Sequence, residues 1–531
     1  MKKSVLLIAS FLMMFIQNST SQNVITVTGD ISANTNWTND NIYLLSGFVY
    51  VTGNSELNIQ PGTIIKGDKA SKGSLIVTRG SKLIADGTMS QPIVFTSNEP
   101  AGLRGYGDWG GIILCGKAPI NDPAGEKVIE GGVDPVKGLY GGIVPGDNSG
   151  ILRYVRIEFP GIAFMPNNEI NGLTLGGVGN GTIIDHVQVS YSGDDAFECF
   201  GGTVNMKHLI AYRSLDDDFD TDFGFKGLCQ FLVSIRDSNV ADVSGSNGFE
   251  SDNDATGTTN TPITQPVYSN VTIIGPLASS GTMINSNYKR LAHIRRSSKL
   301  SIFNSAFSGF PTGLLVDGAN CENSATANEL NFKNSVLAGC TTPLSVAAGS
   351  TWDITTWFNQ AGFNNSILSN SSDLMLNNPF NYNLPDFMPA AGSPLLSGAS
   401  FANAALADPF FDTVSYKGAF GATDWTMNWA NYDCQNSIYT SIHEINDVSN
   451  VNIFPNPMQD KSTVRFNLGT TSNVVINVYS LDGKLTFTKN LGKIPAGVNA
   501  FELELPNMVS GIYSLQLLTD NGVSSYRISK N

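Results

Sequence analysis

The residues of this chain best suited to chemistry are carboxylates. Asp216-Asp217-Asp218-Phe219-Asp220-Thr221-Asp222 is its densest run of charge, and Asp194-Asp195-Ala196-Phe197-Glu198 precedes it. The two lie inside a longer repeat. His186 to Glu198 aligns with His208 to Asp220 at a constant offset of 22 residues, which sets Asp194 over Asp216, Asp195 over Asp217 and Glu198 over Asp220. Segments stacked at an inter-strand spacing of about 4.8 Å would bring these carboxylates together, where they repel unless something relieves them. Solvent, backbone N–H groups in turns, raised pKa values or a hard cation held by oxygen ligands would each serve. The expectation is a calcium-binding ridge of Asp194, Asp195, Glu198, Asp216, Asp217, Asp218, Asp220 and Asp222, with Ca2+ as the cofactor. Solvated or turn-capping Asp residues are the competing reading. An EF-hand is excluded, because the glycine at the sixth position of that loop is missing.

Paired carboxylates also serve as general acid and base on a glycosidic bond. His186 and His208 share one register position and so are candidate stacked metal ligands, but each precedes an apolar strand and a structural role is preferred. Arg213, the basic residue nearest the Asp run in sequence, reads as a charge partner. Trp352, Trp357, Trp425 and Trp429 are either sugar-stacking platforms or packing for the end of the fold.

The elements that must position these groups are coils. Between residues 42 and 420 the chain is rich in Gly, Asn, Ser and Thr, with short β-branched runs and almost no helical period. A second repeat sets Asn304-Ser305-Ala306-Phe307-Ser308-Gly309 against Asn334-Ser335-Val336-Leu337-Ala338-Gly339 at an offset of 30. Periods of this size, with short strands and turns, suit a right-handed parallel β-helix of about a dozen coils, each burying its apolar face only against its neighbours. Phe197 and Phe219 are expected to stack as an inward aromatic ladder. The six cysteines leave their connectivity open, with Cys321–Cys340 the favoured pair.

The two ends of the chain carry addresses. Lys2 and Lys3 precede an apolar run from Val5 to Ile16 and small polar residues to Ser21, the pattern of a signal peptide over 1–21. That run is too short to span a bilayer, and no other approaches it. Loss of the two lysines takes the formal charge from −14 to −16, which argues against nucleic acid and anionic membranes as partners. At the other end Val474, Ile476 and Val478, then Phe501, Leu503 and Leu505, then Tyr513, Leu515 and Leu517 alternate with other residues. That period of two marks strands with one buried face. With hairpin dipeptides at Asp482-Gly483 and Asn521-Gly522, they suggest a small antiparallel sandwich of about seven strands.

Asn452-Ile453-Phe454-Pro455-Asn456-Pro457, Leu481-Asp482-Gly483-Lys484 and Gly511-Ile512-Tyr513 closely resemble, in order and spacing, the type A C-terminal sorting domain of the type IX secretion system. The resemblance implies export to the outer surface of a Gram-negative bacterium or to the medium, with the secretion machinery as partner through 451–531. Leu57-Asn58-Ile59-Gln60-Pro61-Gly62-Thr63-Ile64-Ile65-Lys66-Gly67, Pro92-Ile93-Val94-Phe95-Thr96-Ser97, Gly107-Asp108-Trp109-Gly110-Gly111 and Tyr154-Val155-Arg156-Ile157-Glu158 resemble exported bacterial β-helix proteins. That resemblance supports a pectin-lyase-like solenoid and carries no activity. The polygalacturonase-like pattern would need a Gly-His-Gly and an Arg-x-Lys, and neither is present. The expected organisation is a signal peptide (1–21), an all-β parallel β-helix domain with caps (22–430), a linker (431–450) and a sorting domain (451–531). Two functions remain open: a non-catalytic adhesive, glycan-binding or structural surface protein, and a secreted polysaccharide lyase or glycoside hydrolase.

Overall fold

The computed structural model describes residues 23–165, 168–439, 448–480, 484–506, 508–519 and 522–531. The expected signal peptide, the Asp482-Gly483 turn and Asn521 lie outside the described residues. Two units are present, 23–439 and 440–531.

In the first unit a 26-stranded sheet winds through three parallel ladders. Val187 pairs in parallel with Leu209, and Leu209 with Leu232. The ladder that bears the acidic residues runs through Ile112–Cys115, Leu173–Gly176, Phe197–Phe200, Phe219–Asp222, Phe249–Ser251 and Arg290–Ile294. This is the parallel β-helix expected from the repeats, with both offsets in register: Phe197 lies over Phe219, and Ala306 over Val336. Inside, Phe197, Phe219 and Phe249 form a buried ladder with ring centroids 5.6 and 5.5 Å apart. Burying a side chain of this kind contributes about 1.5–3 kcal/mol.

One corner of the coil has a price in backbone conformation. Tyr154, His186, His208, Phe231, Asn270, Asn304 and Asn334 each take a left-handed φ, between 49° and 61°. A residue with a Cβ pays about 1–2 kcal/mol there, Asn less than most. Stacking offsets the cost where the residue is a ring: Tyr154 on His186 at 4.4 Å, His186 on His208 at 4.2 Å and His208 on Phe231 at 5.3 Å.

The coils stop earlier than composition suggests. The last strand in register is Ser366–Leu368, beneath Val336–Ala338, and not a coil near residue 420. From there the chain runs back along the flank as a strap. Its contacts fall on progressively earlier coils: Ser400 on Asn304, Asp412 on Gln230 and Asn431 on Gln188. The outward residues of that flank are apolar: Ile210, Tyr212, Val233, Ile235 and Ile274 are buried under Phe387, Phe420 and Trp429. Side-chain amides staple the strap as a neighbouring strand would. Gln188 donates to Asn431 O at 2.7 Å and accepts from Asn431 N at 2.8 Å. Residues 431–439, which composition assigns to a linker, are part of this cover. Tyr439 donates to the buried Glu158 at 2.5 Å, and Arg104 donates to Cys434 O at 2.8 Å.

The second unit has a three-stranded antiparallel sheet of Val448–Phe454, Lys461–Leu468 and Gly497–Glu504. Its four-stranded partner contains Leu485–Ile494, Ser472–Ser480, Gly511–Thr519 and Gly522–Lys530. Val474, Ile476, Val478, Leu503, Leu515 and Leu517 fill its core, as their alternation requires, and Phe501 is partly buried beside them. All six cysteines are free thiols, so the favoured Cys321–Cys340 bridge is not formed. Cys321 is buried against the end of the coil and needs no partner there.

Candidate functional site

Strand alternation places the acidic residues. In Phe197–Phe200, Phe219–Asp222 and Phe249–Ser251 the leading Phe points into the coil, so the next residue points out. Glu198, Asp220 and Glu250 therefore form one outward column, with His293 following Glu250. The turn before these strands forms a second column. Asn171 Oδ1 accepts from Asp195 N at 3.2 Å and Asp195 Oδ1 from Asp217 N at 2.8 Å, and Asp217 accepts from Asn247 N. Asp195 and Asp217 thus cap turns, as the competing reading expected, and the Asn247 side-chain amide also donates to Asp217 Oδ2 at 3.2 Å.

Around the columns is a cleft of about 350 Å³. The coils supply Asp194, Asp195, Glu198, Asp216, Asp217, Asp220 and Glu250. Insertions supply Glu130, Glu169, Ser244 and Gly245, and Asn171 and Arg295 complete the lining. Three sets of carboxylate oxygens each gather within 4.8 Å: Asp194, Asp195 and Asp216; Asp195, Glu198 and Asp220; Asp217, Asp220 and Glu250. Ser244 donates to Asp216 at 2.6 Å, and Asn171 donates to Glu198 and, at 3.2 Å, to Glu130. Asp216 Oδ1 and Asp220 Oδ1 are buried and accept no hydrogen bond.

Electrostatics follow from this crowding. Burial first, then neighbouring carboxylates, hold Asp194, Asp195, Glu198, Asp217 and Asp220 well above the ordinary carboxylate range. Burial pushes Asp216 up to about 6, against the Ser244 hydrogen bond. Glu250 is the exception. Burial opposes its ionisation, but His293 and Arg295 outweigh burial and hold its pKa below the usual value. Arg295 is bonded to Glu250 and, at 2.8 Å, to Asp252. These partners overcome its burial and keep it protonated.

Six of the eight expected ridge residues therefore meet in the cleft, and two do not. Asp218 precedes the strand, where alternation does not apply, and its carboxylate is buried with Arg236 at 2.8 Å and Ser234 at 2.5 Å. Asp222 is two residues beyond Asp220 and faces Asp252, Asp254 and Arg296. Burial pushes its pKa up to about 7. Sequence reading missed Glu130, Glu169, Glu250 and Arg295. A signal for Glu250 exists, since Phe249-Glu250-Ser251-Asp252 repeats the pattern of Phe219-Asp220-Thr221-Asp222.

The other candidates lie outside this cleft. His186 and His208 both face Asp185 Oδ1, at 3.0 and 2.7 Å. They stack beneath Trp425 and Trp429 of the strap. Arg213 pairs with Asp237 and lies between the rings of Tyr191 and Tyr382, away from the Asp run. Trp357 and Trp429 are buried, Trp352 packs on Trp357, and Trp425 stacks on Phe420.

Residues 29–374 match the model of the pectate-lyase-like β-helix domain family, and residues 452–531 match that of the secretion system C-terminal sorting domain. The second match is to a type IX export signal and places the chain at the cell surface or in the medium. No curated protein matches. Similar solved structures include the Dettilon tailspike protein, at 10% identity over 93% of this chain and 83% of that one, with a TM-score of 0.22. The enzymatically active domain of Bacteriophage CBA120 tailspike protein 4 is similar at 11% identity, over 92% and 64%, with a TM-score of 0.24. Among the described residues no helix is long and apolar enough to cross a membrane.

Proposed function

We propose that this chain, which belongs to the pectate-lyase-like β-helix domain family, is a non-catalytic binding protein on or beyond the outer surface of a Gram-negative bacterium, whose acidic cleft holds Ca2+ and grips an extracellular glycan. The observation that carries the calcium reading is the Asp220 carboxylate. It belongs to two of the three oxygen clusters, and its buried Oδ1 accepts no hydrogen bond. A buried oxygen without a donor is costly, and a hard cation with oxygen ligands removes that cost. The all-carboxylate donor set favours Ca2+ over a softer metal. Coordination positions that the carboxylates leave unfilled would take sugar hydroxyls or carboxylates. The non-catalytic reading rests on Arg295, the one cationic residue among the described lining residues, which is committed to Glu250 and Asp252 and is no free base.

Calorimetric titration of the chain without its sorting domain tests the ion, with heat of Ca2+ binding below millimolar concentration expected. A glycan array with and without Ca2+ then tests the ligand. Absence of Ca2+ binding up to millimolar concentration overturns the proposal. Export is tested separately. A chain ending after Ser449 should stay in the periplasm while the full chain reaches the surface, and equal display of both removes the sorting role.

A second reading, a lyase or glycoside hydrolase, is favoured by the protonation difference inside the cleft. Carboxyls with raised pKa stand beside the ionised Glu250, the arrangement that acid–base cleavage of a glycosidic bond uses. Release of reducing ends from a bound polysaccharide, lost in Glu250→Gln, would establish it over the binding reading.

A further inference from the structure

We infer that the glycan site continues beyond the acidic cleft into a second cavity, where it takes an uncharged, hydroxyl-rich sugar residue; this rests on the glycan reading above. The cavity encloses about 510 Å³, within the roughly 300–1,000 Å³ of sites that take small organic ligands and far more than an ion needs. It adjoins the cleft, because Arg295 lines both.

Three successive strands of the acidic ladder, Phe249–Ser251, Arg290–Ile294 and Thr312–Val316, lie in parallel register, and the cavity forms where they end. The first turn supplies Thr256 and Gly257, the second Arg295, Arg296 and Ser297, and the third Asp317, Gly318 and Asn320. Ser297 ties the three turns together. Its Oγ donates to Gly257 O at 2.9 Å and accepts from Asn320 at 2.8 Å. The walls are therefore in place before a ligand arrives, while Thr256, Arg296 and Asn320 stay exposed.

The polar groups suit hydroxyls and not a charge. Arg295 is bonded to Glu250 and Asp252, and Arg296 donates to Asp252 at 2.7 Å, while Asp317 adds a carboxylate to the wall. An anion finds no uncompensated cation here, and a cation would meet two guanidinium groups. Hydrogen-bonding capacity of both kinds is left over. Arg296 uses Nη1 and keeps Nε and Nη2 as donors. Asp317 Oδ2 is 2.9 Å from His293 Nε2, and Oδ1 remains as an acceptor. A hydroxyl both donates and accepts, so neighbouring hydroxyls of one sugar ring use both kinds at once. No aromatic or long aliphatic side chain stands among the described lining residues to select an apolar ligand.

The test is calorimetric titration of the full chain, with Ca2+ present. The probes are uncharged oligosaccharides (cello-, xylo- and manno-oligosaccharides) and acidic ones (oligogalacturonate and oligoalginate). At least one uncharged probe is expected to bind. Arg296→Ala and Asp317→Asn should each weaken it about tenfold or more, the worth of a hydrogen bond to a charged group. Circular dichroism confirms that each variant is folded. An uncharged probe held equally by the wild-type chain and both folded variants overturns the second subsite and leaves the glycan reading standing. Binding of acidic probes alone overturns the assignment to an uncharged residue. No probe bound by the wild-type chain overturns the glycan reading itself.

Discussion

Stacking of successive coils builds two columns on the β-helix, and they meet opposite fates. At the left-handed corner it stacks Tyr154, His186, His208 and Phe231, and the strap covers them with Trp425 and Trp429. On the acidic ladder it stacks Asp195 on Asp217 and Glu198 on Asp220, and leaves an open cleft with two buried oxygens that accept no hydrogen bond. Stacking is indifferent to what it stacks. Rings placed one coil apart attract and accept a permanent cover. Carboxylates placed one coil apart repel, and their relief has to come from protons or from ions.

The contrast is sharpest between Asp218 and Asp220, two residues apart in sequence. Asp218→Asn removes the partner of the fully buried Arg236, so it should destabilise the coil by about 3–5 kcal/mol, read as a lower denaturant midpoint. A change within error would mean that the pair is not formed. Next in size is the ion. At a hundredfold excess over its dissociation constant, Ca2+ should stabilise the β-helix unit by about 2.7 kcal/mol, with a rise in melting temperature that chelator reverses. No shift would place the acidic column with the covered one, as a self-sufficient surface.

Protons should act in the same place. The raised cleft carboxyls bind more protons folded than unfolded, in the window between the ordinary carboxylate pKa and the raised folded values, about 6 for Asp216. Ion-free protein should therefore lose stability as pH rises through that window, and Ca2+ should flatten the loss. A metal-free melting temperature that rises from pH 5 to pH 8 would contradict the crowding. The smallest effect is Asp220→Asn, which should raise ion-free stability by about 1 kcal/mol by removing one member of a repelling column, and should lower the response to Ca2+. Destabilisation in chelator would show that the charge at Asp220 already has a partner.

How much of this was legible in sequence depends on what fixes each residue. Offsets of 22 and 30 report register directly, so the coil, the Phe197–Phe219 ladder and the overlay of Glu198 on Asp220 could all be read. Asp218 and Asp222 could not be separated from Asp220, because a run of acidic residues does not show where the strand begins and alternation takes hold. Glu130 and Glu169 come from insertions outside the repeat, where no spacing rule applies. The strap was hidden because its composition matches that of the coils. Its place is set by the apolar outer face of Ile210, Val233, Ile235 and Ile274, which an uninterrupted buried-strand pattern does not distinguish from an inner one.

The cleft has a floor and walls of different origin. Repeat positions such as Glu198, Asp220 and Glu250 form the floor, while Glu130, Glu169 and Ser244 arrive on segments that leave the coil and return to it. Lengthening such a segment costs only about 0.6 kcal/mol per doubling, whereas an extra residue within a strand would turn a Phe outward and a carboxylate inward. Changes of length in those segments can therefore redraw what the cleft admits, while the register of the coils holds its charged floor in place.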